Sequence, residues 1–136
     1  MTKFVIGPDV ALLLAERGVR PAAPHRLLAP TLLRSQVLAM LFDEVRHGRL
    51  ERKQAERRLD HLRSLQIRLL GDRVLQGLAW TLAEQLGWAD TFVAEYLALT
   101  RLQADAFVTL DAGLARTAAG VVPVASIDDV LAAAAR

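Results

Sequence analysis

Carboxylates at the junctions between elements are the residues of this 136-residue sequence best placed to do chemistry. Asp9 follows the run Lys3-Phe4-Val5-Ile6, Asp90 precedes an apolar helical pattern, and Asp111 closes the run Ala106-Phe107-Val108-Thr109-Leu110. Three oxygen ligands at sheet edges suit Mg²⁺ or Mn²⁺, hard cations that take carboxylate together with water and substrate phosphate. Metal-activated water would then hydrolyse a phosphodiester. Each residue has a plainer explanation too, because Asp at a helix start satisfies backbone N–H groups and suits the helix dipole. Taken singly, Asp9 and Asp90 are better explained as caps than as ligands. Asp111 is the strongest ligand candidate, since open α/β sheets bind ligands at the carboxyl ends of their strands.

Other chemistries find no support. The sequence has no glycine-rich phosphate loop, no Ser or Cys nucleophile elbow and no His pair at metal spacing. His25, His47 and His61 fall in a loop and on charged helical stretches, where surface positions are expected. The absence of cysteine removes disulfide frameworks and thiolate metal sites. The 17 Lys+Arg against 15 Asp+Glu leave a net charge of +2, which is compatible with an RNA partner without demanding one. Lys3 and Lys53 are the only lysines, so most of the positive charge is guanidinium, the better fork for phosphate. No apolar run reaches membrane-spanning length and Met1-Thr-Lys-Phe-Val-Ile6 lacks a signal-peptide core, so a soluble cytoplasmic protein is the expectation.

The elements that must position the carboxylates follow from pattern. Lys3 to Ile6 is a β-prone run stopped by Gly7-Pro8, and Val10 to Glu16 is a helix with Asp9 as its expected N-cap. Val19 to Ala29, with Pro21 and Pro24, is expected to be a loop. Pro30-Thr31 then opens a helix running to Gly48, and a charged amphipathic helix follows over about 51–64, the two forming a helical hairpin over about 30–64 that projects from the sheet. Gln66 to Leu70 is the second expected strand. Asp72 caps a helix to Leu86 whose inner face is assigned to Val74, Leu78, Trp80 and Leu82, and another helix runs from Asp90-Thr91 to about Leu102. The strand ending at Asp111, a short helix from Gly113 to Ala119, an edge strand over Val121-Val122-Pro123-Val124 and an Ala-rich helix capped by Ser126 and Asp129 complete the chain. This alternation predicts one domain over 1–136, a three-layer α/β/α sandwich around a mainly parallel sheet.

Three blocks of the sequence resemble the PIN domain, and most closely the VapC-type toxin ribonucleases. They are Phe4 to Leu13, Ala29 to Leu38, and Thr91 to Leu99 leading into Val108-Thr-Leu-Asp-Ala-Gly-Leu114. The resemblance implies a small α/β sandwich, an acidic cluster binding Mg²⁺, cleavage of RNA, and inhibition by an antitoxin protein; similar proteins also commonly form homodimers. Three of the four acidic positions differ here. Gly7 stands where the family carries Asp and Asp9 stands at the family's hydroxyl position, Gln36 replaces Glu, and Val93 replaces Asp; only Asp111 sits on an acidic position.

Two functions from different classes stay open at this point. One is a VapC-like Mg²⁺- or Mn²⁺-dependent ribonuclease with a weakened metal site, in which Asp111, Asp9 and Asp90 hold the metal, Gln36 is polar in the pocket beside the catalytic Asp111 and Asp9, and Arg34 meets substrate phosphate. The other is a catalytically inactive PIN-like domain that binds RNA or a protein, either an antitoxin-like chain or its own copy.

Overall fold

The structure, a computed structural model, describes residues 1–133. The elements run β1 (Lys3–Ile6), α1 (Pro8–Arg17), β2 (Arg26–Pro30), α2 (Leu32–Arg46), α3 (Arg52–Ser64), β3 (Arg68–Leu70), α4 (Arg73–Leu86), α5 (Phe92–Gln103), β4 (Ala106–Val108), α6 (Ala112–Ala119), β5 (Val124–Ala125) and α7 (Ile127–Leu131). The five strands form one parallel sheet in the order β3-β2-β1-β4-β5. Right-handed crossovers place α1, α2 and α3 on one face, and the reversal at β4 sends α4, α5 and α6 to the other. The three-layer α/β/α sandwich expected from the sequence is therefore present.

Its core explains the order of the elements. Val5, Ile6, Phe107 and Val108 on the two central strands are essentially inaccessible, as are Val10, Ala11 and Leu14 on α1 and Leu97 and Leu99 on α5. A parallel strand buried on both faces needs such uninterrupted apolar runs. Helices α1 and α4 end on Gly18 and Gly87, whose φ values of 62° and 68° lie in the left-handed region that a glycine adopts without strain.

Several local expectations are corrected. β2 occupies Arg26–Pro30, inside the stretch assigned to a loop and a helix start. Leu27, Leu28 and Ala29 carry no β-branched signal, and only burial between β1 and β3 makes them a strand. β4 stops at Val108, so Asp111 is not a strand residue but the N-cap of α6. β5 is the edge strand expected, yet it covers Val124–Ala125 and leaves Pro123 just before it. On α4 the inner face is Leu75, Ala79, Leu82 and Ala83, whereas Val74 and Trp80 are exposed; apolar residues on every side of that helix made its phase ambiguous. α3 lies against α1 as well as α2, so the hairpin folds back onto the sandwich instead of projecting. His25 is buried, with Nδ1 accepting from the Thr2 N–H and Nε2 facing the Ala132 carbonyl at 2.9 Å. The Ala-rich end of the expected last helix, beyond residue 133, lies outside the described residues.

Caps read from the sequence at Asp72 and Ser126 are present. Asp72 accepts from Leu75 N–H at 2.8 Å, and Ser126 and Asp129 form a reciprocal capping box. Asp72→Ala is expected to cost about 1 kcal/mol, the usual worth of an N-cap, measured as a lower urea midpoint with an unchanged slope.

Candidate functional site

The strand order reverses between β1 and β4, and the carboxyl ends of those strands frame the crevice where α/β folds bind ligands. Asp9, Gln36, Tyr96 and Asp111 all belong to elements that meet near this edge. What they do there differs from a metal cluster.

β1 ends at Ile6 and Pro8 occupies the first helical position of α1, so the N-cap is Gly7 and Asp9 is one residue inside the helix. This corrects the assignment of Asp9 as a cap. Pro suits that first position because its missing N–H is one the helix would leave unpaired. From inside the helix the Asp9 carboxylate crosses to the β4–α6 turn. Its Oδ2 accepts from Leu110 N–H at 2.8 Å and from Thr109 Oγ1 at 3.0 Å, while Oδ1 accepts from Val10 N–H at 2.8 Å. Thr109 Oγ1 in turn accepts from Asp111 N–H at 3.2 Å. Asp9 thus ties the start of α1 to the turn that presents Asp111.

Gly7 is part of the same device. A Cβ at residue 7 would lie 2.7 Å from Asp9 Oδ1, far inside contact distance. The backbone there is ordinary extended chain, with φ −72° and ψ 167°. A side chain at residue 7 would have to push the Asp9 carboxylate off its donors, so it is that carboxylate and not the main chain that favours glycine there. The Asp9 carboxylate thus lies where a side chain at residue 7 would begin.

The neighbouring polar contact is neutral. Tyr96, on α5 and buried, donates its phenol proton to Gln36 Oε1 on α2. The phenol is held well above the ordinary tyrosine range, first by burial and then by the nearby negative charges of Glu95 and Asp9. Folding therefore favours the protonated phenol: above about pH 10, where an unfolded tyrosine ionises, the unfolded chain binds fewer protons and stability falls as pH rises. Tyr96→Phe is expected to remove that alkaline loss and to cost about 1 kcal/mol at neutral pH through the lost hydrogen bond, both read from urea unfolding at pH 7 and above pH 10. Glu95 is also raised, by burial alone, so its ionised form opposes folding at neutral pH.

Asp90 and Asp111 have local duties. Asp90 Oδ1 accepts from Phe92 N–H at 3.1 Å, one residue ahead of the α5 N-cap, which is Thr91. Asp90 lines a shallow cavity of about 310 Å³ with Val93, Gly113 and Leu114. Asp9 instead lines a cavity of about 390 Å³ with Leu110, Glu16, Glu44, Arg49 and Arg58. Asp111 Oδ1 caps α6 through Leu114 N–H at 2.9 Å, and its side chain is exposed. Arg34, the expected phosphate contact, lines a third cavity, bounded by α2, α3 and β3, together with Leu33, Leu62 and Ile67.

Among the described residues no three His, Asp or Glu side chains are grouped so as to hold a metal ion. The donor set does not fit a three-carboxylate Mg²⁺ site: Asp9 is bonded at both oxygens, Gln36 is neutral and taken by Tyr96, and Val93 offers nothing. Thr109 and Tyr96 are the participants that sequence reasoning missed. The only signal for Thr109 was a hydroxyl two residues before the strand's closing carboxylate.

No known protein-family profile and no curated protein matches the sequence. Solved structures do match the fold. PAE2754 from Pyrobaculum aerophilum superposes with a TM-score of 0.73 at 20% identity, over 96% of this chain and 93% of that one. VapBC2 from Rickettsia felis, solved bound to a DNA fragment from their promoter, superposes with a TM-score of 0.63 at 10% identity, over 91% of this chain and 98% of that one. At these identities the likeness is one of fold, and it is shared with a VapBC protein. No helix among the described residues is long and apolar enough to cross a membrane.

Proposed function

We propose that this chain is a PIN-like domain that has exchanged metal-dependent RNA cleavage for binding, and that it works as a recognition module for a partner protein in the cytoplasm, an antitoxin-like chain being the partner its resemblance implies. The observation that carries this reading is the commitment of the Asp9 carboxylate to Val10, Thr109 and Leu110. Carboxylates gathered for Mg²⁺ repel one another and need the cation between them. Here the charges are dispersed among backbone and hydroxyl donors, which satisfies them without metal.

A second reading has one observation of its own. Asp9 and Asp111 flank the same turn through the hydroxyl of Thr109, and Mg²⁺ is often held by one or two carboxylates with water and phosphate completing its shell. A weak two-carboxylate site would retain ribonuclease activity. Thermal unfolding with increasing Mn²⁺ separates the two, because a ligand that binds only the folded state raises the midpoint. The binding-module reading expects no rise beyond that of an Asp111→Asn control, whereas a rise lost in that control favours the metal site.

A further inference from the structure

A cavity of about 460 Å³ lies away from the carboxylates, in the angle between α2, α3 and the edge strand β3. Val37 and Leu62 form its floor and Ile67 and Leu69 its strand-side wall. Leu38 stands at its mouth with 56% of its surface exposed, and Phe42, one helical turn further along α2, extends the apolar strip with 67% exposed. Arg34 and Arg63 also line it. Arg34 has no ion pair among the described residues, and the Arg63–Asp60 pair is an exposed one that re-pairs at little cost.

The wall of this groove is an open sheet edge. Leu70 turns its carbonyl toward β2, where it accepts from Thr31 N–H at 3.2 Å. Successive residues of a strand direct their peptide groups to opposite sides, so those of Leu69 face outward, and among the described residues β3 has no strand neighbour beyond β2. An outward N–H and C=O beside an apolar groove are what an added strand requires.

The geometry points to this groove as the docking site for an extended segment of a partner protein, alternating apolar with acidic residues, that adds to β3, seats its apolar side chains between α2 and β3, and pairs its carboxylates with Arg34 and Arg63. The inference rests on the reading of the domain as a binding module and assigns that module its surface. The open peptide groups of Leu69 favour an extended segment over a helix. RNA fits poorly, because none of the residues lining the groove is aromatic and Phe42, beyond it, offers a single ring where base stacking along a strand needs several. A second copy paired across a two-fold axis would bring the same arginines to both sides of the seam.

The test selects short random peptides displayed on phage against the intact chain, then titrates the enriched sequence as a labelled synthetic peptide by fluorescence anisotropy. Enrichment of alternating apolar and acidic residues is expected. The double variant R34E/R63E should weaken that peptide about tenfold or more and gain affinity for its Glu-to-Lys counterpart. A peptide N-methylated on the edge facing β3 should lose binding, while circular dichroism confirms that the variants fold. Enrichment of basic peptides, binding indifferent to the double variant, binding indifferent to N-methylation, no enrichment at all, or dimerisation lost on Ile67→Arg would each overturn the assignment. Metal-dependent RNA cleavage is scored separately: it would remove the functional reading beneath the proposal, whereas an empty selection with no cleavage would remove the groove alone.

Discussion

Asp9→Ala should unfold at a clearly lower urea concentration than the parent chain, at a cost of about 3 kcal/mol, the sum of two charge-assisted hydrogen bonds at roughly 1.5 kcal/mol each. The two bonds run from Thr109 and Leu110, residues a hundred positions away in sequence, so their loss frees the β4–α6 turn from α1. The third bond, from Val10 N–H, contributes least, since a first-turn N–H can turn to water. Asp9→Asn keeps one acceptor oxygen and should fall between the two. Asp111→Ala removes only a helix cap and should cost about 1 kcal/mol. Chemical denaturation of the three variants checks the ranking, and an Asp9→Ala protein as stable as the parent would remove the stapling role altogether.

The second large effect is a coupling. Gly7→Ala places a methyl 2.7 Å from Asp9 Oδ1, so the carboxylate must rotate off its donors or the chain must shift. Forced overpacking of this kind costs about 2 kcal/mol. In an Asp9→Ala background the obstacle is gone, and Gly7→Ala should cost close to nothing because residue 7 already has extended dihedrals that alanine adopts freely. A double-mutant cycle should therefore return a coupling energy of about 1–2 kcal/mol, and strictly additive losses would show that the two positions are independent. The same contact governs attempts to restore the family pattern. Gly7→Asp should fail to fold stably unless Asp9 is replaced at the same time by the hydroxyl residue the pattern carries there.

How far the sequence revealed this arrangement depended on where the information sits. β1 and the buried part of β4 were legible because Phe4-Val5-Ile6 and Ala106-Phe107-Val108 are apolar on both faces, and the caps at Asp72 and Ser126 because capping is local. β2 was not, since Leu27-Leu28-Ala29 becomes a strand only through its neighbours. The substitutions at Gly7, Gln36 and Val93 could be read directly from the family resemblance. Their consequence could not, because the approach of Asp9 to Leu110 depends on the register between β1 and β4, in which Ile6 pairs with Val108. Asp9 and Asp90 carry identical side chains next to helix starts. One spans the sheet and the other closes a turn of its own chain, and that distinction is tertiary.

The proposal that the site is silent is tested most directly by incubating the purified chain with single-stranded RNA and Mn²⁺, beside an Asp111→Asn control. With the Asp9 carboxylate held by the β4–α6 turn and Gln36 held by Tyr96, RNA should remain intact to the same extent with and without metal and in both proteins. Cleavage by the parent chain that requires Mn²⁺ and is abolished by Asp111→Asn would contradict it.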